Sequence, residues 1–200
     1  TTGDMIGPRI YSTGPGIFGD YNAEPIRDLE HARDIMRRYS EYYDTKTIKM
    51  YMAGNRQQRQ WGIMAAREQR IMPTTEGGLM FKYDMTMALD GYPGHEHSLP
   101  IAPIYGDVVG LYEGTGITYT PTLLVSYGGP WGENYYYSRE NPHDGPKLQY
   151  FTAHTELDQK SRRRPGWFRD DEHVFGAHAE GVRKIVEAGG RIGVGSHGQL

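Results

Sequence analysis

The sequence predicts an α/β fold in which a parallel sheet is built through crossover helices. Two observations predict it. Short runs of strand type alternate with longer runs of helical periodicity about six times along the chain. The composition is that of a folded chain: 200 residues, 37% hydrophobic and 24% charged, enough to bury one real core. No linker composition and no internal repeat interrupts it. A single domain over 1–200 is therefore expected, with a long loop insertion at about 127–170.

The elements follow in order. Residues 9–13 read as a short strand, ahead of a glycine-rich turn from Gly14 to Gly19. Pro25 suits a first helical turn. Leu29, Ala32, Met36, Tyr39 and Tyr43 then recur at helical spacing, which predicts an amphipathic helix over 24–43. In the strand 47–52, Ile48, Met50 and Met52 share one face, and Thr47, Lys49 and Tyr51 the other. A helix over 56–69, a strand over 71–75 and a helix over 79–89 follow. Next come a short strand at 96–101, a helix at 105–113 and a clearer strand at 117–126. The stretch 127–170 is irregular, with a helix expected over 147–159. Val174, His178, Val182 and Ile185 mark a last helix, which ends at Gly189-Gly190, and 191–196 reads as the last strand.

Several function classes lose support at once. A net charge of −3 gives no electrostatic ground for nucleic-acid binding. The absence of cysteine removes disulfides and thiolate metal sites. No apolar run approaches the length of a membrane span, so no membrane partner is expected. Residues 1–8 lack the basic region and apolar core of a signal peptide, and both periplasmic and cytoplasmic bacterial settings stay open. No Gly-x-Gly-x-x-Gly opens a helix, as a dinucleotide site requires.

Five positions carry candidate chemistry. Lys49 lies on the strand face opposite Ile48-Met50-Met52. An ammonium turned into an interior costs several kcal/mol unless it finds a carboxylate, a modification or a ligand; the alternative is a strand end where it reaches solvent. His95 and His97, two apart on a strand, share a face and offer two imidazoles to a zinc ion; the alternative is an ordinary polar loop. His197, in Gly193-Val-Gly-Ser-His-Gly198, sits at the C-terminal end of the last strand, where parallel α/β proteins collect ligands; it also reads as a turn histidine. Glu76 is a ligand, an acid or base, or a solvated cap on the next helix. His178 falls on an apolar helix stripe and reads as core, and His31 as solvated. Arg162-Arg163-Arg164 reads as a solvated loop. Trp131, Tyr135, Tyr136, Tyr137 and Trp167 form either an aromatic lid or the packing of the long loop. The Gly-x-Ser-His-Gly around Ser196 is not a nucleophile elbow, which discounts a serine hydrolase.

Taken in order, these pieces resemble the metal-dependent amidohydrolase superfamily. The nearest branch is the imidazolonepropionase and prolidase-like enzymes, including those fused to TolB-type β-propellers. Gly7-Pro-Arg-Ile-Tyr-Ser-Thr-Gly14 resembles the third barrel strand, and Ile48-Lys-Met-Tyr-Met52 the fourth, where related enzymes place a lysine, often carboxylated, that bridges two metals. Met72-Pro-Thr-Thr-Glu-Gly77 falls where a His-Ala-x-Gly strand is usual. Glu96-His97 resembles the sixth strand's ligating pair, Pro121-Thr-Leu123 the seventh strand and Ala188-Gly-Gly-Arg-Ile-Gly-Val-Gly-Ser196 the eighth.

The resemblance implies a partial (β/α)8 TIM barrel, about strands 3 to 8, and a hydrolase of C–N bonds in amides or cyclic amides. It implies a divalent metal, zinc by expectation, with Lys49, His97 and His197 as ligands. His197 or Glu76 is then the proton carrier, and His95 and Tyr51 are substrate contacts or supports. The departures are specific. No strand before Gly7 supplies the family's first His-x-His, so a chain truncated before the third strand and incomplete as an enzyme is expected. Thr74 stands at an expected histidine, and His197 at the expected aspartate. A histidine can bind metal or accept a proton, but brings no negative charge to a metal-bound water. Two alternatives follow: a metal-free relative that binds a small molecule or peptide, and a barrel fragment whose exposed sheet edges pair between copies as a homo-oligomer.

Overall fold

The computed structural model describes residue 7 and residues 11–18, 25–162 and 166–197. The chain divides into two compact units, 1–76 and 77–200. Each alternates strands with helices, and every strand pairing described within them is parallel. The fold is α/β, with crossover helices of the kind that build a partial (β/α) barrel.

In the first unit, strands β1 (Ile17–Phe18), β2 (Thr47–Tyr51) and β3 (Met72–Glu76) lie side by side in chain order. Helix α1 (Leu29–Glu41) joins β1 to β2, and α2 (Arg56–Glu68) joins β2 to β3. Both helices begin on a side-chain cap. Asp28 accepts a hydrogen bond from the His31 amide, and Asn55 forms a reciprocal box with Gln58. Ile48 and Met50, on one face of β2, are fully buried, as are Ala32 and Met36 of α1 and Ala65 and Ala66 of α2. Burying each large apolar side chain stabilises the fold by ~1.5–3 kcal/mol.

Two expectations are corrected here. The strand placed at 9–13 falls partly outside the described residues. Tyr11–Thr13 are irregular and the pairing strand is Ile17–Phe18, because Ile17 supplies the apolar side chain that buries, while Tyr11 is 80% exposed. Pro25 is not in the first turn of α1, since Asp28 caps the helix and starts it later. His31 stays half-exposed at the surface, as expected, and its Nδ1 accepts from the Arg27 amide at 3.2 Å, which ties down the chain entering the helix.

In the second unit, β4 (Gly94–Glu96), β5 (Thr118–Thr120) and β6 (Arg191–Ile192) are parallel neighbours in that order. Helices α3 (Phe81–Asp90) and α4 (Gly106–Thr115) flank β4 in the sequence, and α8 (Phe175–Glu187) precedes β6. The stretch expected to be largely irregular is broken into α5 (Gly132–Arg139), α6 (Pro146–Phe151) and α7 (His154–Ser161) rather than one helix over 147–159. Thr152 stands extended between α6 and α7 and prevents their fusion. Three strands are also shorter than expected, among them β6, which ends at Ile192 rather than running over 191–196. β4 starts at Gly94 and stops before His97, whose φ is +72°, and β5 stops before Pro121 and Thr122, whose φ is +49°. Residues in the left-handed region cannot continue a strand. Among the described residues no helix is long and apolar enough to cross a membrane.

Candidate functional site

In the first unit, β2 and β3 are in register with Lys49 opposite Thr74. Thr47, Lys49 and Tyr51 then share a partly exposed face with Thr74 and Glu76, while Ile48, Met50, Pro73 and Thr75 are buried. The Lys49 ammonium pairs with the Glu76 carboxylate and lies 5.9 Å from the centre of the Tyr51 ring. Lys49 thus has the carboxylate that its strand position calls for. Its side chain is 42% exposed, however, so it stands on a partly open face rather than in a crowded interior. Such a pair contributes ~1 kcal/mol at most. Glu76 ends β3 and does not cap a helix: α3 begins at Phe81, with no side-chain cap.

In the second unit, β4 delivers two histidines to different surroundings. His95 is fully buried; its Nδ1 shares a hydrogen bond with the Tyr112 hydroxyl, and its ring lies 5.5 Å from that of Tyr119. Its Nε2 is buried without a hydrogen-bond partner among the described residues. That nitrogen points at Gly77, where an added Cβ would lie 2.0 Å from it. Burial, with a smaller push from His97, lowers the His95 imidazole to about 4, so the ring is neutral. The expectation that His95 and His97 share a face is therefore corrected. The strand ends between them, and the positive φ of His97 breaks the alternation.

His97 instead meets His197. Their rings lie 5.2 Å apart, tilted by 60°. The His97 amide donates to the Thr120 carbonyl at 2.9 Å, which fixes the turn where β4 ends. His197 follows β6, and Gly193 and Gly195 let this last segment run close beside β5; a Cβ at either would press on Thr120 or Thr122. His197 Nδ1 is buried without a hydrogen-bond partner among the described residues. Two imidazoles thus converge at the C-terminal ends of β4 and β6. This donor set suits part of a divalent-cation shell, though a catalytic zinc takes three protein ligands.

A carboxyl group underlies this cluster. Asp84, fully buried on α3, accepts from the Gly78 amide at 2.9 Å, while its second oxygen has no hydrogen-bond partner among the described residues. Burial raises the carboxyl to about 7, against the lowering effect of that amide. Burial also lifts the Tyr112 and Tyr119 phenols above the usual range, and Asp84 adds to both. The Tyr119 hydroxyl accepts from the Leu99 amide at 2.8 Å, so this ring braces the segment just after His97. No motif or periodicity in the sequence marks Asp84, Tyr112 or Tyr119. Asp84 was legible only as an acid in the first turn of a helix.

The insertion carries a third cluster, which no motif in the sequence announces. His143, His154 and Asp158 bring one ligand atom each to within 4.8 Å of one another, a group able to hold a metal ion. Nearby, Gly132, Tyr135, Tyr136, His173, Phe175 and Gly176 line a cleft of about 240 Å³. Tyr135 stacks edge-on against His173 at 5.5 Å, and Trp167 is 81% exposed. The tyrosines therefore line a cleft, and Trp167 lies open to solvent. His178 is core, as expected, with Nε2 3.0 Å from the Tyr127 carbonyl oxygen. Of the basic run, Arg163 and Arg164 lie outside the described residues.

The chain matches no family model and no curated protein sequence. It is similar in structure to an uncharacterized protein, with a TM-score of 0.56 and 15% identity over 98% of this chain. It is similar to the same degree, TM-score 0.56 and 15% identity over 97% of this chain, to a Xaa-Pro dipeptidase with bound methionine in the active site. The chain spans 49% of the length of each. At this identity the likeness establishes the shared α/β fold.

Proposed function

We propose that this chain is part of a metal-dependent hydrolase of C–N bonds in amide, cyclic-amide or peptide-like substrates, with its chemistry at the strand ends. The observation that carries the reading is the meeting of His97 and His197, with a buried, unpartnered Nδ1 on His197. The fold shared with a Xaa-Pro dipeptidase supports a hydrolase. His97 and His197 would hold the cation, zinc by preference for imidazole. When bound, such an ion lowers the pKa of a coordinated water toward ~7.

The chain's own residues divide the remaining work. The buried, neutral His95 fixes the strand end that presents His97, and His197, once it holds the cation through one ring nitrogen, keeps its proton on the other and serves as a ligand alone. Lys49, Tyr51 and Glu76 are assigned to this reaction by the family resemblance alone. The Lys49 ammonium held by Glu76 has no lone pair to offer a metal, so it would become a ligand only as a carbamate. The test is metal content after zinc or manganese loading and dialysis, followed by a panel of amide, cyclic-amide and dipeptide substrates. Loss of one ion per chain and of hydrolysis in a His97→Ala, His197→Ala variant is expected. Unchanged metal content in that variant would contradict the reading.

A second reading is a metal-free protein that binds a small molecule or peptide. The Lys49–Glu76 pair favours it, because the lysine is already satisfied without a metal. An assembly of copies through sheet edges is separated from both readings by the oligomeric state in solution.

A further inference from the structure

We infer that His143, His154 and Asp158 form a second, structural metal site, which staples the insertion between α5 and α8 around a divalent ion of the zinc class. The placement is local and specific. Helix α7 sets His154 and Asp158 one turn apart on the same face. The 3-10 turn Pro142–Asp144 presents His143 from the other side, with its backbone held at both ends. Its amide donates to the Asn141 side chain at 3.1 Å, and its carbonyl accepts from the Gln149 side chain. His143 Nε2 lies 3.0 Å from one Asp158 oxygen, and His154 Nδ1 lies 3.4 Å from the other. The two imidazole rings are 5.1 Å apart. Two nitrogens and a carboxylate suit zinc better than magnesium or calcium, which prefer oxygen, and leave a fourth position for water.

The second, independent observation is the poverty of the surrounding core. Between residues 140 and 162, Leu157 is the one buried side chain among the described residues. Tyr150 and Phe151 are 82% and 80% exposed. The chain has no cysteine to cross-link the segment. Segments that cannot bury enough apolar surface commonly depend on a metal or a disulfide to hold their shape. A bound ion would join the turn before α6 to α7 and close the short loop between them.

The full-length chain, stripped with chelator, is titrated with zinc, and trypsin cleavage after Lys147 is followed by mass spectrometry. Zinc at 100 times its Kd is expected to slow that cleavage by about 100-fold, through the population of the opened segment. His154→Ala and Asp158→Asn should each abolish the protection, and His97→Ala with His197→Ala should leave it intact. His154 is 78% exposed, so its replacement leaves the fold in place. Cleavage indifferent to zinc in the wild type, or protection that survives in both insertion variants, would overturn the inference.

Discussion

Two histidine clusters of the second unit are held in place by different means. His95, His97 and His197 stand at strand ends, over a buried layer of Tyr112, Tyr119 and Asp84. Their positions are fixed by packing and by backbone turns that only the folded scaffold imposes. His143, His154 and Asp158 stand on a short turn and a two-turn helix that bury one side chain, Leu157. Their positions are fixed mainly by one another. The scaffold should therefore resist substitution whether or not a ligand is present, and the insertion should tolerate substitution but depend on its ligand.

The largest effect is expected at Gly77. An alanine Cβ would lie 2.0 Å from the buried His95 ring, which has no room to retreat. Gly77→Ala should destabilise by ~4 kcal/mol, read as a fall in the denaturation midpoint. A midpoint unchanged by Gly77→Ala would mean that the packing around His95 is loose.

Next is the pH dependence set by Asp84. The folded carboxyl titrates at about 7 and the unfolded one near 4, so the fold holds a proton that the unfolded chain releases. The contribution of this group is complete below pH 4 and is lost as the pH rises to about 7. Relative to Asp84→Asn, the wild type should lose ~3 kcal/mol across that window. Parallel stability curves would remove Asp84 from the account.

Tyr112→Phe leaves His95 Nδ1 without its partner and should cost ~1.5 kcal/mol in urea denaturation. The smallest effect belongs to the insertion. His154→Ala in metal-free protein should change global stability by less than ~0.5 kcal/mol. A cost equal to that of Tyr112→Phe would erase the contrast between the two clusters.

What the sequence made legible follows the same division. Alternating and 3.6-spaced apolar residues located the long helices and strand β2 to within a few residues, because buried faces such as Ile48-Met50 leave a period in the sequence. The need of Lys49 for a carboxylate was also legible, though not that Glu76 supplies it. The strand ends at His97 and Thr122 were not legible. They depend on left-handed backbone at residues with no glycine to announce it. The buried Asp84–Tyr112–Tyr119 layer was hidden because a polar residue inside reads like one outside until its neighbours are known. In the insertion, short helices with little buried surface leave little period to read. The His154-x-x-x-Asp158 spacing was its one available signal.

The proposed cation between His97 and His197 has a direct consequence for metal content. The most direct test is metal stoichiometry in zinc-loaded, dialysed protein, compared across the wild type, His97→Ala with His197→Ala, and His154→Ala with Asp158→Asn. Two ions per chain are expected in the wild type and one in each variant. A strand-end variant that retains the full wild-type content would contradict it.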